Sequence, residues 1–137
     1  MTPWKKNLAL IGAWLLVALT LLLAPAPREW GFLGSRISLR YDKIQHVLQP
    51  AAHFILMTVL VLLLMRLFRR LHWKHAALYA ACVALGLAVG LELLQALLPV
   101  EFARACDPLD LLPSLAGVLC GAAVGLIVRV VLSSRKS

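Results

Sequence analysis

Ala76 to Leu98, AALYAACVALGLAVGLELLQALL, is the stretch that decides the fold. It holds one charged side chain, Glu92, in a run long enough to cross a hydrocarbon core of about 30 Å, which needs ~20 apolar residues. Three similar runs flank it: Asn7 to Ala24, Ile44 to Met65 and Leu109 to Leu132. The expected fold class is therefore all-α: an integral membrane bundle of four transmembrane helices forming a single domain over residues 1–137. Its spans are expected near 7–24, 44–65, 76–98 and 109–132. A hydrophobic fraction of 62% and a mean hydropathy of +0.89 agree, since soluble domains hold ~45–50% apolar residues. Little chain remains outside the runs, so no sizeable soluble domain is expected.

The net charge of +8 invites a nucleic-acid reading, but its distribution argues for topology. Lys5 and Lys6 precede the first run; Arg66, Arg69, Arg70 and Lys74 separate the second and third; Arg129, Arg135 and Lys136 close the chain. Arg28, Arg36, Arg40, Lys43 and Arg104 fall on the other side. The positive-inside rule places both termini in the cytoplasm of a multi-pass membrane protein. The cations then serve orientation and contact with anionic lipid headgroups, and no nucleic-acid partner is expected.

A basic start, an apolar run and Ala24-Pro25-Ala26 resemble a secretory signal, but the run is long and Pro27 would follow the cut directly. A retained anchor is the expected outcome. Cys82 and Cys120 fall within spans as small packers and Cys106 near an outer mouth; an odd count without C-x-x-C spacing predicts neither a disulfide nor a zinc motif. Pro25 to Tyr41 is expected as an outer loop with Trp30 at the interface, and Arg66 to Lys74 as a short cytoplasmic connection. Pro99 to Asp107 is expected as a second outer loop, with Pro108 in the first turn of the last helix.

Polar residues inside the spans point towards function. At about 100° per residue, Asp42, His46, Gln49, His53 and Met57 share a stripe of the second helix, with Pro50 interrupting it and predicting a kink or local unwinding. Glu92 and Gln95 share a face of the third. Asp107, Asp110 and Ser114 share one on the fourth, continued by Gly117, Gly121 and Gly125. Those glycines, and Gly86 with Gly90 on the third span, predict close helix packing. With both termini inside, the three clusters converge in the outer half of the bilayer, beneath Arg104. An ionisable group at a helix centre costs roughly 2.5–3.5 kcal/mol on insertion scales, so such convergence implies a partner or a task.

The same residues carry a resemblance. Asp42-Lys43-Ile44-Gln45-His46 resembles the D-K-x-x-H opening of the VanZ-like membrane family, and Glu92-Leu93-Leu94-Gln95 is similar to its E-x-x-Q. Arg104, Asp107, Asp110 and Gly117 resemble its closing pattern of R, D and G. The match runs from Asp42 to about Gly125; the first span agrees only in character. Ser114 stands where the family typically shows Asn, and Pro50 where an aromatic is usual. The resemblance implies a cell-envelope membrane protein with a link to lowered teicoplanin sensitivity, and supplies no biochemical activity.

The expected function is an outward-facing site that binds or acts on an anionic envelope lipid or lipid-linked precursor. Asp42, Lys43, His53, Gln95, Arg104, Asp107 and Ser114 would bind, with Lys43 and Arg104 holding the phosphate. Two alternatives stand beside it. In a membrane enzyme, His46, Glu92 and Asp110 would supply acid–base chemistry on a lipid phosphate. In a scaffold, the polar residues only lock helices together. A Ser114-His-Asp triad lacks an elbow motif, and a His/Glu/Asp metal site lacks a diagnostic spacing, so neither a metal nor a cofactor is expected. A homodimer is compatible with all three alternatives.

Overall fold

The structure, a computed structural model, describes residues 3–23, 34–97, 109 and 111–134, with side chains for 4–20, 47–94, 96–97, 109 and 111–134. Among these residues the chain is all-helical: α1 (Pro3–Leu23), α2 (Gly34–Leu67), α3 (Trp73–Leu97) and α4 (Leu111–Ser134). Among the described residues, three segments are long and apolar enough to cross a membrane: Val47–Leu67, Trp73–Leu94 and Leu111–Ser134. α1 is not among them. Large apolar side chains such as Leu93, Leu119 and Ile127 are exposed on these helices, a surface suited to lipid rather than water.

One sequence expectation about α2 is corrected and a second is narrowed. Residues 34–41, assigned above to a loop, are helix. Ser, Arg and apolar residues alternate there over two turns, too short for a 3.6-residue period to show. No proline lies between Gly34 and Gln49, so a helix nucleated in the span propagates back towards Gly34. Nor does Pro50 unwind the helix, which remains continuous through it. On α4, Pro113 occupies the first turn, where a missing N–H removes no intrahelical bond. Pro108, Trp30, Cys106 and the proposed outer-loop residues at 25–33 and 99–107 lie outside the described residues.

The core is built from three stripes. α2 contributes Met57, Leu60, Val61, Leu64 and Met65; α3 contributes Ala77, Ala80, Ala84 and Ala88; α4 contributes Val118; and Ile11 of α1 joins them. α2 packs most extensively on α4. A side chain on Gly117 would meet the carbonyl of Phe54, one on Gly121 the Thr58 carbonyl at 2.7 Å, and one on Gly125 the Met65 sulfur. These partners advance together along both helices, so α2 and α4 run parallel, backbone against backbone. Thr58 Oγ1 donates across the seam to the Gly117 carbonyl at 3.1 Å. α3 returns antiparallel after the short connection 68–72, pinned by Phe68 packing edge-on to Tyr79 at 6.4 Å.

The glycines of α3 behave otherwise. Gly86 and Gly90 are exposed, with nothing within 4 Å of a built Cβ. The close-packing expectation for them is wrong: the small-residue face that α3 turns inward is the alanine stripe. Cys82 is also exposed on the outer surface rather than packed. α1 rests chiefly on α2, where Trp14 Nε1 donates to the Leu56 carbonyl at 3.1 Å and Ala18 packs beside Leu56.

Candidate functional site

Each core stripe ends in a polar residue. On α2, His53 lies one turn before Met57; on α4, Ser114 lies one turn before Val118; on α3, Glu92 lies one turn after Ala88. Met57, Val118 and Ala88 belong to one buried cluster, and α3 runs opposite to its neighbours. The three polar residues are therefore displaced by about 6 Å towards the same end of the bundle. All three are buried: His53 is 3% exposed, Glu92 6% and Ser114 1%.

His53 and Ser114 meet directly, with Nδ1 and Oγ 3.0 Å apart. With the ring proton on Nε2, the serine hydroxyl donates to Nδ1; with it on Nδ1, the ring donates to Oγ. Glu92 and Gln49 also have interaction partners within the protein. Glu92 is buried because it continues the Ala80-Ala84-Ala88 spacing, a signal legible in the sequence but overshadowed there by the neighbouring glycines. His53 and Ser114 are buried because the parallel α2–α4 seam carries them inward. Losing a buried hydrogen bond costs about 0.5–1.5 kcal/mol. Ser114→Ala is accordingly expected to lower unfolding stability in detergent by that amount; no measurable cost would show that the bond contributes nothing.

Of the other proposed site residues, Asp42, Lys43 and His46 lie on α2 and Gln95 on α3 by their backbones, while their side chains are outside the description. Gln49 is half-buried on the α2 stripe. Arg104, Asp107 and Asp110 lie outside the described residues. Among the described residues, no group of His, Cys, Asp and Glu could hold a metal ion.

At the opposite end sits a residue whose role the sequence analysis missed. Arg129, half-buried, donates from Nη2 to the Met65 carbonyl at 2.7 Å. Met65 is in the last turn of α2, where carbonyls lack helical partners. Arg129 was assigned above to topology and lipid contact; its spacing of four from Gly125 placed it on the packed stripe instead. The polar end thus holds the buried His53, Glu92 and Ser114, and the other end holds a guanidinium that closes α2.

The family model VanZ/LLP1 matches residues 10–129. No curated protein and no solved structure matches the chain.

Proposed function

The chain belongs to the VanZ/LLP1 family, and from that premise we propose that the His53–Glu92–Ser114 end binds an anionic envelope lipid or lipid-linked precursor. The observation that carries this is the contribution of one buried polar residue by each of three helices at one depth. Burial of such groups is costly unless they are paired or used, and three at one level exceed what locking one helix pair requires. In this proposal α1 is the fourth span, both termini are cytoplasmic in a bacterial inner membrane, and the polar end faces outward. In it Lys43 and Arg104 hold the phosphate, and Asp42, His46, Gln95, Asp107 and Asp110 are the further residues proposed for the site. Altered teicoplanin sensitivity is the cellular consequence to test by expressing the chain.

The bond between His53 and Ser114 favours a second possibility. A histidine poised on a hydroxyl is the start of acid–base chemistry, and Glu92 supplies a carboxyl at the same depth. Release of product from a reconstituted lipid phosphate would separate enzyme from binder.

The test is thermal stability of detergent-purified protein against a polyprenyl phosphate, phosphatidylglycerol and phosphatidylcholine. Wild type is compared with His46→Ala, Glu92→Gln and Asp110→Asn. Stabilisation by the polyprenyl phosphate is expected in wild type and lost in the variants, whose lipid-free unfolding stays near wild type. Uniform destabilisation without any lipid response would mean that these residues only hold the bundle together.

A further inference from the structure

We propose that the α2–α3 turn is a headgroup site for anionic phospholipid, separate from the polar end. Lys74 and Glu92 are 18 residues apart on α3, about 27 Å along the helix. Arg66, Arg69, Arg70 and Lys74 are all exposed, with His72 and His75 exposed among them. No acidic residue occurs from Lys43 to Leu91 or from Leu111 to Ser137. The cations of this turn therefore have no acidic side chain nearby in sequence to neutralise them.

The turn is held in place rather than loose. Leu71 N–H donates to the Phe68 carbonyl at 2.9 Å, Ala76 N–H to His72 at 3.0 Å, and Phe68 is anchored on Tyr79. Lys74 Nζ stands 5.1 Å from the centroid of the Trp73 ring, His72 lies tilted against Trp73 at 5.6 Å, and His75 meets His72 edge-on at 5.8 Å. Leu71, Leu78 and Tyr79 are exposed beside the cations, continuous with the apolar surface of α3. A phosphate with acyl chains matches both parts: the anion meets the guanidinium and ammonium groups, and the chains lie on leucine and tyrosine. Trp73, exposed beside Lys74, suits the headgroup level, where aromatic rings collect. A soluble polyanion would satisfy only the first part.

The experiment is native mass spectrometry of the full chain in detergent, titrated with phosphatidylglycerol, phosphatidylcholine or inorganic phosphate. Detergent removes insertion topology as a cause. Phosphatidylglycerol is expected to bind over phosphatidylcholine, and to weaken about fivefold per charge removed in the Arg69→Gln, Arg70→Gln, Lys74→Gln series. Phosphatidylcholine binding should not change, and Arg69→Lys with Arg70→Lys should retain most of the preference. The fall across that series should be the same in a Glu92→Gln background, which separates this site from the polar end. Far-UV circular dichroism checks that the variants fold. Should they not, salt dependence of the wild type decides, because attraction between exposed charges must fall with ionic strength. Undiminished phosphatidylglycerol binding in the triple variant, equal binding of phosphatidylcholine, salt-insensitive binding, or displacement of the lipid by equimolar inorganic phosphate would each overturn the proposal.

Discussion

Gly117→Ala is expected to destabilise the protein in detergent by about 3 kcal/mol, at the upper end of what overpacking costs, whereas Gly86→Ala leaves it unchanged or slightly more stable. The added methyl at Gly117 falls on the Phe54 carbonyl, and at Gly121 it lies 2.7 Å from the Thr58 carbonyl and 2.9 Å from Val61 Cβ. Both obstacles include backbone of α2, which cannot rotate away as a side chain can. Relief requires the helices to part, which stretches the Thr58 bond to Gly117 and the His53–Ser114 contact along the same seam. Gly125→Ala should cost less, because it meets the thioether of Met65, a flexible side chain. Gly86 and Gly90 meet nothing within 4 Å, and alanine is the better helix former by about 0.8–1.0 kcal/mol. Thermal or denaturant unfolding of the five single variants checks the order. A loss at Gly86 equal to that at Gly117 would show that the outer face of α3 is packed.

Arg129→Ala is the second large effect expected, at about 1.5–3 kcal/mol for a hydrogen bond to a charged group. Its guanidinium satisfies the Met65 carbonyl at the end of α2, and a cation there also complements the negative end of the helix dipole. In a membrane setting water is scarce at such positions, so the freed carbonyl would have few substitutes. Arg129→Lys should recover part of the loss, since the ammonium keeps the charge but not the planar geometry. Unfolding of the detergent-solubilised variants measures both. If Arg129→Ala unfolds like wild type, the residue acts only in setting orientation.

The contrast between these two sites shows what was legible. The α4 stripe from Ser114 through Gly117, Gly121 and Gly125 was readable because every glycine of that helix falls on one face. On α3 two small faces compete, Ala76-Ala80-Ala84-Ala88 and Gly86-Gly90, and helical periodicity treats both as packing surfaces. The alanine face is the one turned to the core, and Glu92 follows it inward. Arg129 was misjudged because a cation near a span end ordinarily marks the interface. Its role depends on which α2 carbonyl comes within reach.

By itself the sequence determined the helical membrane class, the family, three of the spans, the charge asymmetry and the presence of polar residues within apolar runs. These follow from hydropathy, length and short motifs, all local along the chain. The tertiary structure alone decided that α2 and α4 run parallel at backbone contact, that Gly86 and Gly90 face outward, and that Arg129 closes α2. It also decided that His53 bonds Ser114. Such facts depend on the relative rotation and register of helices. These are set by contacts between residues some 60 positions apart, such as His53 with Ser114 and Met65 with Arg129, which leave no period or spacing to read in one chain.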